Sequence, residues 1–364
     1  MATFGSRIAL GSSEGRCGAR GVRETAVDWT PTEQELGLRA FVFPGQGAQH
    51  VGMGRDVFAA SAEAREVLRR ADAVAGEPAV SELAFDADAA TLRRTEHAQP
   101  TILATSVAML HAARATTALS ADVVAGHSLG EYTALVAAGV VELEDAIRLV
   151  RLRGQLMEAA VPAGEGAMAA IRRLDLDAVR QLCSDAAEGA VLEPANINSP
   201  QQIVVSGHAA AVERAAALAR QRRAVARKLQ VSGPFHCSLM QPAQRKLAAA
   251  LERAPFRDAR IPVVTNVAAQ PETRADRLRE LLVEQVTAPV WWQTGVEAML
   301  SMGVQEVYEI GPGRTLARLV QQIAPDLPVT SLDSWEQIAA FAQAPAGGVS
   351  AGEAREPGAR ATQR

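Results

Sequence analysis

The run Ala121-Asp122-Val123-Val124-Ala125 leads straight into Gly126-His127-Ser128-Leu129-Gly130-Glu131. The apolar segment Ala134-Leu135-Val136-Ala137-Ala138 follows and is closed by Gly139. No other stretch restricts the fold as much. The first run reads as a short buried strand and the last as a helix. Between them lies a G-x-S-x-G spacing, whose glycines permit a sharp strand-to-helix turn that lifts the serine hydroxyl out at the top of a sheet. A serine so placed opens a helix, and the N–H of the next residue, Leu129, can face a developing oxyanion. Gly, Ser and Leu are common enough for such a string to arise by chance, so the elbow needs support from the rest of the chain.

That support is an alternation of strands and helices. Residues 38–43 form an apolar strand that ends in Pro44-Gly45-Gln46-Gly47. Such a turn either brings backbone N–H groups close to a ligand or is a plain β-turn. Residues 101–120 read as a long buried helix. Residues 143–160 read as an amphipathic one, with Arg148, Arg151 and Arg153 among its apolar residues. After Val161-Pro162-Ala163-Gly164 the rhythm changes to strand 166–172, helix 176–187, strand 190–197, strand 202–206, helix 208–221 and strand 224–231. This βαββαβ order is the ferredoxin-like arrangement. Past Ser232-Gly233-Pro234 the first pattern resumes: helix 238–253, strand 261–267, helix 274–286, segment 291–302, strand 306–310, then a helix after Gly311-Pro312-Gly313.

The predicted fold is therefore α/β. A parallel-sheet, α/β-hydrolase-like large subdomain (38–162 and 233–342) carries an inserted ferredoxin-like small subdomain (163–232). Residues 1–37 lack sustained periodicity and the apolar core of a secretory signal, and read as a disordered extension or the product of an upstream start. Residues 343–364 are rich in Ala and Gly with interspersed Pro and charges, and read as a disordered tail.

Composition removes several classes of function. A net charge of −4 gives no support for nucleic-acid binding. No apolar run approaches the ~20 residues of a membrane span. The cysteines, Cys17, Cys183 and Cys237, are far apart and show no C-x-x-C pair. That argues against a disulfide framework or zinc site and suits a reducing, cytoplasmic setting. No metal or redox cofactor is indicated.

A nucleophilic serine needs a base. Of six histidines, His127 precedes the serine and on an elbow points away from it. His50, His97, His111 and His208 lack a companion signal. His236 stands in a loop between a strand and a helix, where α/β sheets build their sites; the alternative is a surface or capping histidine. No Asp or Glu between Ser128 and His236 has a distinctive setting, so a backbone carbonyl is the candidate orienting group and the pair a Ser-His dyad. Arg153 either snorkels or pairs with a carboxylate of the protein, or else forms a bidentate fork for a substrate carboxylate.

Six short motifs occur in order: Phe43-Pro44-Gly45-Gln46-Gly47, Gly126-His127-Ser128-Leu129-Gly130-Glu131-Tyr132, Arg153-Gly154, Ala195-Asn196-Ile197-Asn198-Ser199-Pro200, Gly233-Pro234-Phe235-His236-Cys237 and Glu309-Ile310-Gly311-Pro312-Gly313. With them, residues 38 to about 335 resemble the malonyl-CoA:acyl carrier protein transacylases, including the free-standing acyltransferases that serve polyketide synthases. The resemblance implies a ping-pong transfer without a cofactor, in fatty acid or polyketide synthesis. Ser128, activated by His236, takes a malonyl group from malonyl-CoA and passes it to the phosphopantetheine thiol of an acyl carrier protein. It further implies an oxyanion hole from the N–H groups of Gln46 and Leu129, Arg153 on the malonyl carboxylate, and the main-chain carbonyl of Gln285 behind His236. Asn198 is a candidate for shaping the pocket. Phe235 matches the malonyl-selective pattern, although family members usually carry Ala or Val where Pro234 stands. Arg222, Arg223, Arg227 and Lys228 are candidates for docking an acidic carrier protein, with a solvated surface as the alternative. The chain is expected to act as a monomer.

Four rivals bear comparison. A proofreading acyl hydrolase of the same fold is the nearest, but its known forms lose the arginine that this chain keeps at Arg153. A transacylase for another acyl group shares the same machinery. A plain serine esterase predicts a late acid and histidine and no inserted unit, and a non-enzymatic docking subunit does not need Ser128, His236 and Arg153 together.

Overall fold

The computed structural model describes residues 37–343. The disorder expected of 1–37 and 343–364 falls outside these, apart from Gly37 and from Gln343, which closes a helix. The strands in chain order are β1 (Leu38–Phe43), β2 (Val123–Gly126), β3 (Gly166–Arg172), β4 (Leu192–Ser199), β5 (Gln202–His208), β6 (Val225–Lys228), β7 (Val263–Val264), β8 (Pro271–Glu272), β9 (Val304–Ile310) and β10 (Val329–Leu332).

Six of them form one sheet in the order β10-β9-β1-β2-β7-β8, parallel except for the antiparallel β7–β8 pair. Alternate residues enter opposite cores. Phe41, Phe43 and Val124 pack with the helices Thr95–Thr116, Leu129–Ala137, Leu143–Ala159 and Gln241–Arg253. Ala40, Val42, Val123 and Ala125 pack with the helices Trp292–Ser301 and Thr315–Ile323 on the other face. Burial on both faces explains why β1 and β2 read as continuous apolar runs. Since β1 and β2 are parallel neighbours, the turn at Pro44–Gly47 and the elbow at Ser128 leave the sheet at the same edge, side by side.

The remaining four strands form an antiparallel sheet in the order β4-β5-β3-β6, the ferredoxin-like topology expected. One of its faces packs on the helices Leu176–Ala187 and Ala209–Gln221 through Ile171, Val179, Leu182, Val205 and Val212. Met168, Ala170 and Val204 on the opposite face join the main core. Main-chain bonds from Ile197 N–H to Val290 O and from Val290 N–H to Ala195 O tie it to the segment after Gln285.

Several elements differ from expectation. The helix read over 101–120 is Thr95–Thr116 with Pro100 inside it. Proline reads as a first-turn residue, but burial on nearly all sides sustains the turn that precedes it. The strand read over 261–267 shrinks to β7, because the Asn266 N–H bonds the Glu131 carboxylate instead of a strand. The segment 238–253 opens as a 3₁₀ turn, Ser238–Met240, before the α-helix Gln241–Arg253. Sequence reading did not anticipate the four helices between Arg55 and Arg93, nor β10 and the helix Trp335–Gln343.

The elbow glycines owe their identity to contact rather than to a left-handed φ, since neither Gly126 nor Gly130 has positive φ. A Cβ on Gly130 would lie 2.0 Å from the Phe43 carbonyl oxygen, and one on Gly126 1.9 Å from the Gly130 carbonyl. Gly130→Ala is accordingly expected to destabilise the fold by about 3 kcal/mol, read as a lower denaturant midpoint at unchanged m-value. An unaltered midpoint would show that the β1 turn has room to move.

Candidate active site

The strain sits on Ser128 itself, at φ 52° and ψ −104°. A non-glycine residue holds such a conformation only when its surroundings over-determine it. The Asn266 carboxamide does much of this: its Oδ1 accepts the Ser128 N–H at 2.6 Å and its Nδ2 donates to Gly126 O at 2.6 Å. The hydroxyl so presented lies 2.7 Å from His236 Nε2. His236, also left-handed at φ 59°, is bonded through Nδ1 to the main-chain oxygen of Gln285 at 2.9 Å. That carbonyl accepts the Nδ1 proton and leaves Nε2 as the acceptor facing Ser128. Burial first, and the Arg153 charge second, push the His236 pKa down to about 3, so the imidazole is neutral.

Arg153 comes from the helix Leu143–Ala159 and is only 1% exposed. Its Nη1 donates to Gln99 Oε1 at 2.8 Å, and its Nη2 to Gln285 Oε1 at 3.0 Å and Ser128 Oγ at 3.1 Å. The guanidinium carbon stands 5.6 Å from the centre of the Tyr132 ring. Its Nε has no partner, which leaves a buried donor with nothing to bond. Gly154 makes the approach possible: a Cβ there would lie 2.7 Å from Thr95 O. Glu131 is equally buried, and desolvation pushes its carboxyl up to about 7.

The turn at Pro44–Gly47 lies against the elbow, where a Cβ on Gly45 would stand 2.2 Å from His127 O. The Gln46 side chain donates to Thr95 Oγ1 at 3.1 Å, and Thr95 in turn bonds Ser232 Oγ at 2.6 Å. Among the described residues, no acceptor takes the main-chain N–H of Gln46 or of Leu129. His127 turns away from the serine hydroxyl, its Nε2 lying 2.8 Å from Asn198 Oδ1. Phe235 is buried in the main core beside His236.

A cleft of about 640 Å³ runs between the two sheets, lined by the Pro44–Val51 turn, His127, Asn196 and Asn198, with Arg172, Arg227 and Lys228 along its wall. The four cations proposed from sequence separate here. Arg227 and Lys228 line the cleft, whereas Arg222 pairs with Asp185 at the far end of the inserted unit, and Arg223 does not line it. Among the described residues, no group of three or more His, Cys, Asp or Glu side chains is placed to hold a metal ion. No helix in them is long and apolar enough to cross a membrane.

The sequence-predicted Ser128, His236, Arg153 and Gln285 thus converge; Leu129 follows the serine directly, and the turn that carries Gln46 packs on the elbow at His127 O. Sequence reasoning missed Gln99, Asn266 and any role for Glu131. Their only signal was a polar residue in an apolar helix, a polar residue just past a strand, and the last position of the G-x-S-x-G-E string.

Residues 40–333 match the acyl transferase domain family. The malonyl CoA-acyl carrier protein transacylase of Escherichia coli K12 is 44% identical over 302 residues, covering 83% of this chain and 97% of that protein. The solved structure of the Coxiella burnetii transacylase of the same name superposes with a TM-score of 0.82 at 37% identity, over 84% of this chain and 96% of the other. A type II PKS acyl-carrier protein in complex with its malonyl-transacylase gives a TM-score of 0.81 at 40% identity, over 83% and 98%.

Since His236 is held neutral, labelling of Ser128 by a fluorophosphonate is expected to proceed at a level rate from about pH 8 down to about pH 5. An inflection near the ordinary histidine value of about 6.5 that persists in Glu131→Gln would contradict that.

Proposed function

The chain belongs to the acyl transferase family, and from that footing we propose that it carries malonyl groups from malonyl-CoA to the phosphopantetheine thiol of an acyl carrier protein, in fatty acid or polyketide synthesis. The observation that carries this reading is a guanidinium, buried and short of one partner, 3.1 Å from the hydroxyl that His236 is placed to deprotonate. A cation there is wasted on a neutral acyl chain and complementary to the free carboxylate of a malonyl group.

In the first half-reaction His236 Nε2 takes the Ser128 proton as Oγ attacks the thioester carbon. The oxyanion forms against the N–H groups of Gln46 and Leu129, each such donor supplying about 10²–10³ in rate. Collapse expels the CoA thiolate, which takes the proton back from His236 and leaves an O-malonyl serine. The second half-reaction runs the same steps with the pantetheine thiol as attacker, so no cofactor is needed. Arg153 grips the malonyl carboxylate through both halves. Phe235 narrows the space beside the malonyl α-carbon against branched extender units, and Asn198 holds His127 clear of the acyl chain. We assign Arg172, Arg227 and Lys228, on the cleft wall, to the approach of the acidic carrier protein. We further propose a cytoplasmic enzyme that acts as a monomer.

Intact-protein mass spectrometry after brief incubation with competing malonyl-CoA, methylmalonyl-CoA and acetyl-CoA tests this directly. A malonyl adduct on the Ser128 peptide, discharged by added carrier protein, is expected, and Ser128→Ala should abolish it. Steady CoA release without an adduct would make the protein a hydrolase. Arg153→Ala is expected to cut malonyl loading at least about 100-fold and to affect acetyl loading far less. Equal losses would remove its carboxylate role.

A further inference from the structure

Glu131 lies in the first turn of the helix that Ser128 opens, 1% exposed, and makes no hydrogen bond to Ser128 Oγ or His236. Its Oε2 accepts two donors: the Asn266 N–H at 2.9 Å and Gln285 Nε2 at 2.8 Å. We propose that Glu131 is a positioning residue that aims Arg153 at the acyl carboxylate by locking the side-chain amide of Gln285.

The argument rests on what each group can donate. Glu131 Oε2 also takes the Asn266 N–H, so it stays an acceptor even when Oε1 carries a proton, and the amide end facing it must be the NH₂. The second proton of that NH₂ goes to Ser128 O at 3.1 Å, which uses both donors. The amide oxygen is then forced toward Arg153, where it accepts Nη2 at 3.0 Å. Were the amide turned round, its oxygen would face the Glu131 carboxylate and the Ser128 carbonyl, and its NH₂ would face the guanidinium. All three contacts would become repulsive. One fixed acceptor therefore orients an amide, and the amide fixes the guanidinium. When ionised, Glu131 also places a counter-charge near Arg153, inside a site that water does not screen.

This inference rests on the malonyl reading, and its test separates the two. The probe is the ratio of malonyl to acetyl loading of Ser128 in competition, measured on the full chain. Glu131→Met keeps much of the length but offers no acceptor to the Gln285 amide, so the ratio should fall at least about tenfold. Gln285→Met keeps the main-chain carbonyl that holds His236 and cuts the relay at its middle. It should lower the ratio similarly, and adding Glu131→Met to it should lower the ratio no further. Loss of both acyl groups in step would mark a merely structural role and overturn the proposal. So would a ratio kept within about twofold in either single variant, or full additivity in the double variant. Gln285→Met decides the matter even if Glu131→Met does not fold. A wild-type chain without malonyl preference sinks the malonyl reading and the relay together, whereas a preference retained by the variants sinks the relay alone.

Discussion

A guanidinium removed from water is expensive to hold, and the burial of Arg153 is the constraint on which the rest of the site depends. Two amide oxygens, from Gln99 and Gln285, and the face of Tyr132 answer it, with Glu131 as nearby counter-charge. These four come from three helices, so satisfying one charge brings together segments far apart in the chain. The answer is incomplete by one donor, the Nε. A site left short of an acceptor discriminates more sharply than one that is merely roomy, because a ligand without the missing group leaves the deficit in place. On the proposed reading, specificity for an acid over a neutral acyl chain is thus built into the resting protein.

Holding such a site to ångström tolerance falls to the backbone. Gly45 lies on His127 O, Gly130 on Phe43 O and Gly154 on Thr95 O, each closer than any side chain permits. The motifs separated in sequence are in contact in space, main chain against main chain, with no flexible side chains between them to absorb error. This rigidity lets Ser128 and His236 both keep left-handed conformations, and Asn266 clamps the first of them from two sides. Strain at both reacting residues, held by well-bonded neighbours, keeps the Oγ–Nε2 pair set before any ligand arrives.

Sequence patterning made much of this legible, and its failures have physical causes. Strand 166–172 and helix 176–187 are observed at the limits expected, because the inserted sheet has one face on helices and its elements carry a clear period. The βαββαβ order and the parallel sheet follow from the same signals. The four helices between Arg55 and Arg93 were not legible. Three of them have five or six residues, too few for periodicity to declare itself. In the site, Ser128 and His236 stood out by spacing and by loop position, and Arg153 as a cation on an apolar face. Gln99, Asn266 and Glu131 did not, since each does its work through partners on other elements. A hydrogen bond such as Asn266 to Gly126 leaves no periodic trace. The same holds for the cations of the inserted unit: Arg227 and Lys228 lie on β6, facing the cleft, while Arg222 and Arg223 close the preceding helix. Sequence proximity grouped what the turn between them separates.

The carbonyl behind His236, where many hydrolases place a carboxylate, suits exchange between two thioesters. A carboxylate partner stabilises the imidazolium and makes the histidine a stronger base. Here burial and the Arg153 charge act in the other direction, and the Gln285 carbonyl offsets them only in part. The imidazolium formed on serine attack is consequently a strong acid that surrenders its proton readily to the departing thiolate. In an exchange whose donor and product are both thioesters of ordinary thiols, neither direction supplies much driving force. A base that held its proton tightly would then stall the reaction at the tetrahedral stage. A weak base, set by geometry within 2.7 Å of its serine, lets the proton travel out and back at each half-reaction. The carbonyl does for orientation what a carboxylate would do, without the added negative charge that would compete with a malonyl carboxylate for Arg153.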